Sequence, residues 1–162
     1  MNDRRPSLTH LDPHGEARMV DVTAKHPTER IARASGTIRM RPETLALIQH
    51  HQIAKGDVLT VARVAGIMAA KRTAELIPLC HPIPLTDVQL SLTFDEHLPG
   101  VRVHATTRTT APTGVEMEAI TAVSITLITL YDMAKSVDRE MVLSDICLLE
   151  KRGGKSGNWQ RT

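Results

Sequence analysis

The strongest constraint on the fold of this chain is a pair of segments in which apolar and polar residues alternate. In residues 87–94 and 101–108, an apolar side chain recurs at nearly every second position, which is the period of a half-buried strand. Leu98-Pro99-Gly100 lies between them and is typical of a turn. The sequence therefore predicts a β-hairpin, whose inward side comprises Val88, Leu90, Leu92, Phe94, Val101, Val103, Ala105 and Thr107.

Two more strands and three helices are predicted around this hairpin. Strands are expected over residues 30–40, which also alternate, and over residues 142–150. Pro42 suits the first turn of a helix that reaches about His51. A second helix is expected to end before Pro78, with an apolar face of Val58, Val61, Ala65, Met68 and Ala69.

Thr113 and Glu116 have the spacing of a capping box, which predicts a long third helix reaching about Val137. The order strand, helix, helix, strand, strand, helix, strand indicates an α+β fold. We expect a ferredoxin-like sandwich, with a four-stranded antiparallel sheet and helices packed on one face. In this division, residues 1–28 form a mobile N-terminal arm, residues 29–150 a single catalytic domain, and residues 151–162 a flexible, basic, glycine-rich tail.

Charge and composition exclude several classes of protein. The 20 basic and 18 acidic residues give a net charge of +2, which is too balanced for a general nucleic-acid binder, and the chain has only one Phe, one Tyr and one Trp for stacking bases. Neither a secretory signal nor an apolar run of membrane-spanning length is expected. Two isolated cysteines without a C-x-x-C pattern indicate a reducing, cytoplasmic compartment.

The cations next to a proline-rich loop, residues 79–85, are the first candidates for an anion site. Lys71 and Arg72 fall at the end of the second helix, where they either complement the helix dipole or clamp a phosphate. His81 lies in the loop that follows, and its rigid placement suits an acid, a base or a phosphate donor, although a lone histidine is more often structural. Cys80 is expected to contribute backbone contacts or packing, because nothing nearby would lower its thiol pKa.

Carboxylates occur at both ends of the third helix. The capping box accounts for Glu116 without a functional role, but it does not include Glu118. A carboxylate near a helix N-terminus is favourable in any case. Asp132 and Lys135, at i and i+3, form either a surface ion pair worth about 0.3 kcal/mol or a partly buried pair suited to proton transfer. Glu118 and Asp132 would lie about 21 Å apart along the helix axis, so we expect a site shared between two copies of the chain.

Small residues on this helix, and cations in the tail, have two interpretations each. Ala119, Ala122, Thr126 and Thr129 would allow either close approach of a second copy or internal packing. Lys151 and Lys155 form either a flap over an anionic ligand or part of a solvated tail. The Gly-Lys-Ser of the tail is not a P-loop, because it lacks the first glycine of that pattern.

Five motifs in order resemble the molybdenum cofactor biosynthesis protein C family, the cyclic pyranopterin monophosphate synthases. They are Gly66-Ile67-x-Ala69-Ala70-Lys71-Arg72-Thr73, Leu76-Ile77-Pro78-Leu79-Cys80-His81-Pro82, Gly114-Val115-Glu116-Met117-Glu118-Ala119, Tyr131-Asp132-Met133-x-Lys135 and Gly153-Gly154-Lys155-Ser156-Gly157. The resemblance extends from about Leu8 to the end of the chain. It implies a phosphorus–oxygen lyase that converts 3′,8-cyclo-7,8-dihydroguanosine 5′-triphosphate into cyclic pyranopterin monophosphate and pyrophosphate, downstream of a radical enzyme acting on GTP.

The resemblance also implies roles for individual residues. Lys55, Asp132, Lys135 and His81 would be catalytic, while Leu79, Cys80, His81, Glu116, Met117, Glu118, Lys71, Arg72, Lys151 and Lys155 would bind the substrate. It further implies hexamers built from dimers, with sites at the dimer interface. No metal-ligand set is predicted, and Mg²⁺ accompanying the triphosphate is left open.

Two other functions remain open from the sequence. A non-catalytic nucleotide-binding regulatory module would need the cations but not Asp132. A zinc hydrolase would use Cys80, His81 and a carboxylate, but adjacent residues cannot easily ligate one ion.

Overall fold

The computed structural model describes residues 14–155 and 157–162. The predicted arm therefore lies partly outside the described residues, as does Ser156 of the tail. The elements in chain order are β1 (Thr28–Arg39), α1 (Pro42–Gln49), α2 (Val58–Lys71), α3 (Thr73–Leu76), β2 (Asp87–Asp95), β3 (Gly100–Ala111), α4 (Glu116–Ala134), β4 (Val142–Arg152) and β5 (Trp159–Gln160).

The strands form one antiparallel sheet in the order β2-β3-β1-β4-β5. The predicted hairpin is confirmed as β2 and β3, with Ser91 opposite His104. The α+β fold is confirmed and is consistent with a ferredoxin-like sandwich, with a fifth strand of two residues added to the predicted four. Lys151 and Arg152 extend β4 and Trp159–Gln160 pair with it, so four of the twelve residues of the predicted tail belong to the sheet. The division into arm, domain and tail stays a prediction.

The core lies between one face of the sheet and α4. The predicted inward residues of β1, namely Ala32, Ala34, Ile38 and Met40, are all buried. Gly36 lets α4 approach this strand closely, because a Cβ there would lie 2.8 Å from side-chain atoms of both Leu127 and Val123. The helix thus packs onto the central strand of the sheet.

The predicted apolar face of α2 was only partly correct. Val58 and Ala69 are buried as expected, but Val61 and Met68 are 43% and 48% exposed, and the buried face instead includes Ala62, Gly66 and Ala70. Relative to the prediction, α2 is rotated about its axis, because its small residues allow close packing against α4. Small side chains contribute little to a hydrophobic pattern, so the pattern did not indicate this face. The same contact settles the role of the small face of α4, since Gly66 approaches Thr126 and Ala122 within the chain.

The predicted capping box was also wrong. Val115, not Thr113, occupies the N-cap position of α4, and no side chain caps the helix. Instead, the Thr107 hydroxyl donates to the Val115 carbonyl oxygen at 3.0 Å, which ties the start of the helix to β3. The helix ends at Ala134, three residues before the predicted end.

Strand register defines two ends of the sheet. Thr28 pairs with Ala111, Ile31 with Arg152, and the β2 residue Asp87 with Arg108. The starts of β1 and β2 and the ends of β3 and β4 therefore share one end, here called the loop end. Because α4 follows β3, it begins at the loop end and finishes at the opposite end.

One helix in the described part of the chain, α4, is long and apolar enough to cross a membrane by length and composition. More than half of it, 56% of the apolar window, is buried inside the fold. Its apolar side chains are thus accounted for by the core.

Gly66→Ala should destabilise the protein although alanine is the better helix former. The added Cβ would lie 2.1 Å from the Thr126 hydroxyl oxygen, which is itself bonded to the Ala122 carbonyl, and 2.9 Å from that carbonyl oxygen. We expect overpacking to lower the free energy of unfolding by about 1–3 kcal/mol, measured by urea denaturation. Arg63→Ala, on the exposed side of the same helix, should change it by less than about 0.5 kcal/mol. A more stable Gly66→Ala variant would contradict the close contact.

Candidate active site

Two cavities lie at the loop end, on either side of the proline-rich loop. The first has a volume of about 380 Å³ and the second about 400 Å³. His81, Ile83 and Glu118 line both. The first is also lined by Lys71, Arg72 and Glu75, and the second by Val20, Lys25, Leu79, Cys80, Thr113, Gly114, Glu116 and Met117. His81 and Glu118 therefore stand where the two cavities meet.

The loop is anchored to β3 by hydroxyl groups. Thr109 donates to the Pro84 carbonyl oxygen at 2.7 Å, and Thr86 donates to the Arg108 carbonyl oxygen at 3.1 Å. Together with the prolines, these bonds restrict the backbone. The rigid placement of His81 that the sequence indicated is therefore present.

Glu118 is the most perturbed carboxyl group at this end. Its residue is only 4% exposed, and burial raises the pKa of Glu118 to about 7, with a further rise from the charge of Glu116. Burial disfavours the charged form because the carboxylate loses its hydration. A carboxyl group that titrates near neutral pH can either donate or accept a proton, which suits acid–base chemistry.

Cys80 is not prepared to act as a nucleophile. Burial raises the pKa of its thiol, and the nearby Glu118 carboxylate raises it further. Since the thiolate is the reactive form, both effects reduce its reactivity. No group of three or more His, Cys, Asp and Glu side chains arranged to hold a metal ion occurs among the described residues.

Lys71 and Arg72 extend into solvent beside the first cavity. They occupy the last position and the C-cap of α2, because the Thr73 hydroxyl bonds to the carbonyl oxygens of Ala69 and Ala70 and ends the helix there. Two cations at the mouth of a cavity favour an anionic ligand.

The second group of predicted residues lies at the far end of α4. Asp132 bonds to Lys55 through Oδ2 at 3.0 Å and to Lys135 through Oδ1 at 2.7 Å, and Lys55 also donates to the Asp132 carbonyl oxygen at 2.7 Å. Lys55 lies in the turn before α2, and this turn places it beside Asp132, although the two residues are 77 positions apart in the sequence. This cluster of three is here called the lysine–aspartate cluster.

Of the two interpretations of Asp132 and Lys135, the single chain shows the surface ion pair, since the side chain of Asp132 is 54% exposed. Hydrogen bonds from Lys135 and then Lys55 lower the pKa of Asp132, and the bond to Asp132 raises the pKa of Lys135. A raised pKa is the opposite of what a lysine base needs at neutral pH. A lysine base here would need surroundings different from those in the single chain.

The structure does not bring the two groups together within one chain. Glu118 and Asp132 are 14 positions apart on α4, or about 21 Å along its axis. Lys151 pairs with Ala32 near the loop end, on the side of the first group. Lys155 follows β4 at the same end and is exposed.

Sequence reasoning missed two residues that line the second cavity, Val20 and Lys25. Both belong to the segment that was predicted to be a mobile arm. The available signal was the sequence Asp21-Val22-Thr23, because aspartate two residues before a backbone N–H favours a local turn.

Most of the chain matches known proteins, both through a family model and through individual relatives. A family model described as the MoaC family matches residues 19–154. A protein of Dinoroseobacter shibae named cyclic pyranopterin monophosphate synthase is 59% identical over 153 residues, which cover 94% of this chain and 97% of that protein. Proteins of the same name from Brucella ovis and Brucella abortus are each 60% identical over 152 residues, covering 94% of this chain and 92% of theirs.

Glu118→Gln should alter the pH dependence of stability. Because the folded-state pKa lies above the ordinary value of 4.5, the folded state binds more protons between pH 4.5 and about 7. The free energy of unfolding of the wild type should therefore fall as pH rises through this window, by up to about 3 kcal/mol, and level off above it. The glutamine variant should lose this decline.

Urea denaturation at several pH values measures the difference between the two proteins. Glu96→Gln, in the exposed hairpin turn, is the matched control and should follow the wild type. Parallel curves for wild type and Glu118→Gln would mean that Glu118 is not held in a desolvated site.

Proposed function

This chain belongs to the MoaC family, and from that membership and the geometry of the site we propose that it is a cyclic pyranopterin monophosphate synthase. It would act on 3′,8-cyclo-7,8-dihydroguanosine 5′-triphosphate, in the cytoplasm, after a radical enzyme has made that substrate from GTP. The observation that carries the proposal is that Lys71 to His81 and Gly114 to Glu118, distant in sequence, line two adjoining cavities.

The distribution of charge between the cavities suits the two parts of this substrate. Lys71 and Arg72 stand at the first cavity and supply cations for a triphosphate. Among the described residues, Glu75 and Glu118 also line the first cavity, so its two carboxyl groups are balanced by two cations, whereas Glu116 and Glu118 share the second cavity with only one, Lys25. Carboxyl groups in excess of cations repel phosphate but accept hydrogen bonds from ring N–H groups. The triphosphate would therefore extend from the first cavity, and we assign Lys151 and Lys155, at the end of β4, to its binding.

The reaction closes a cyclic phosphate, in which a substrate hydroxyl oxygen bonds to the α-phosphorus and the bond to pyrophosphate breaks. Cations beside the leaving pyrophosphate would stabilise the negative charge that develops on it. His81, where the two cavities meet, is placed to orient or protonate that group. Rearrangement of the purine-derived ring needs further proton transfers, which we assign to Lys55, Asp132 and Lys135.

These transfers require the lysine–aspartate cluster of one subunit to lie beside the cavities of another. The 21 Å between Glu118 and Asp132 favours such sharing, and so does an apolar strip beside α4. Val61, Met68, Leu76 and Ile128 are all exposed there, next to a cavity of about 330 Å³. An exposed apolar surface of this kind is typical of a protein interface. We propose a homo-oligomer, a hexamer of three dimers, whose interface buries the cluster and lowers the pKa of Lys135.

The proposed activity is tested by incubating the protein with the cyclic dihydro-GTP and measuring pyrophosphate release. Wild type should release pyrophosphate, whereas Asp132→Asn and Lys135→Ala should lose at least about 100-fold of the rate with an unchanged circular dichroism spectrum, because neither side chain belongs to the core of the single chain. Asp95→Asn, which breaks a similar ion pair with Arg102 in the hairpin, should keep full activity. Nucleotide binding without any pyrophosphate release by the wild type would favour the regulatory module.

Sharing of the site between subunits is tested by complementation. Glu118→Gln and Asp132→Asn should each be inactive, but subunit exchange should restore activity, because a mixed dimer holds one site with both changes and one intact site. Recovery should reach about half of the wild-type rate per mixed dimer. No recovery after exchange, verified by mass spectrometry of differently tagged subunits, would mean that each chain holds its own complete site.

A further inference from the structure

Residues 20–25, here called the strap, contribute two residues to the lining of the second cavity. These are Val20 and Lys25, which line it together with Glu116 and Met117 of α4. The strap precedes β1 and is not part of the sheet. Sheet pairing therefore does not hold the strap at the cavity, and other contacts must do so.

Three hydrogen bonds fix the strap. The Thr23 N–H donates to Asp21 Oδ1 at 2.9 Å, and the Lys25 N–H donates to the Val22 carbonyl oxygen at 3.0 Å. These bonds form two successive tight turns, which orient Lys25 towards the cavity. The third bond joins the strap to the loop, since His81 Nε2 donates to the Val20 carbonyl oxygen at 2.8 Å.

The bond to Val20 also sets the chemistry of His81. A carbonyl oxygen can only accept, so Nε2 carries the hydrogen. In the neutral ring, Nδ1 is then the nitrogen with the free lone pair. The strap thus selects which nitrogen of His81 can accept a proton or a hydrogen bond.

Lys25 is the only Lys or Arg among the described residues that line the second cavity. The ion pairs between described residues all involve other side chains, so its ammonium group is not committed to a carboxylate. A cavity lined by two carboxyl groups and one ammonium group offers both hydrogen-bond acceptors and a charged donor. A guanine-type ring has the matching edge, with N–H donors beside a carbonyl acceptor, and lysine is a regular partner of that carbonyl.

Resting on the proposed function, we propose that the strap is part of the substrate site. Lys25 donates to the carbonyl oxygen of the guanine-derived ring and so determines specificity for it. The Val20 carbonyl is a positioning group that holds His81 with Nδ1 free. The ring carbonyl suits Lys25 better than phosphate does, because two carboxyl groups outnumber the one cation among the described residues of this cavity, whereas the first cavity has two cations for its two carboxyl groups.

The role of Lys25 is tested by calorimetry with two non-reacting probes, GTP and 6-thio-GTP, on the full-length protein. The thio analogue keeps the ring N–H groups but replaces the carbonyl oxygen by sulfur, a weak acceptor. Wild type should bind GTP about 10-fold or more tightly than the analogue, as expected for a hydrogen bond to a charged donor. Lys25→Gln replaces the charged donor by a neutral amide N–H, so it should reduce this preference several-fold while its affinity for 6-thio-GTP changes little.

Arg18→Gln is the matched control, because it removes one positive charge from the same segment but does not line the cavity. It should retain the preference for GTP. Equal losses for both nucleotides in Lys25→Gln, or a wild type that does not discriminate between them, would overturn the assignment. A wild type that discriminates but releases no pyrophosphate from the cyclic substrate would reject the synthase and leave the role of Lys25 standing.

The role of Val20 is tested by nitrogen NMR of the protein labelled with ¹⁵N-histidine, at about pH 8, where an ordinary imidazole is neutral. His81, assigned from a His81→Gln variant, should show hydrogen on Nε2. Observation of the Nδ1–H form would overturn the positioning role of the strap.

Discussion

The close packing of α4 against β1 and α2 is the contact on which both groups of functional residues depend. Gly36 and Gly66 permit it, because side chains at either position would overlap with α4. The helix carries Glu118 at one end and Asp132 at the other, so its fit against the sheet fixes both. A shift of α4 along its axis would displace the wall of the cavities and the lysine–aspartate cluster together.

The two ends of α4 differ in their electrostatic environment. At the loop end, burial is the dominant effect, and it raises the pKa values of Glu118 and Cys80. At the other end, ion pairing is dominant, and it keeps Asp132 ionised between two lysines in solvent. The first environment is prepared for proton exchange near neutral pH. We propose that the second acquires this property in an oligomer, where another surface would desolvate it.

Much of the fold follows from local patterns in the sequence. The alternation in β1, β2 and β3 identified the strands and most of their inward residues, because a half-buried sheet requires a period of two. Phe94, predicted to face inward near the end of β2, is an exception, since it is 38% exposed. The helices were less well predicted where small residues make the contacts. The buried face of α2 was misplaced because Ala62, Gly66 and Ala70 pack more closely than Val61 and Met68, and a hydrophobic pattern gives weight to large side chains.

The sequence by itself determined the strands, the hairpin and the residue types able to bind an anion and move protons, because these depend on local periodicity and on motifs. Only the tertiary structure decided which of those residues meet. It placed Lys55 beside Asp132 across 77 positions, set the loop against the start of α4, and brought Val20 and Lys25 to a cavity from a segment with no regular pattern. Such meetings depend on strand register and helix packing, which arise from contacts between distant residues and leave little trace in any single stretch of sequence.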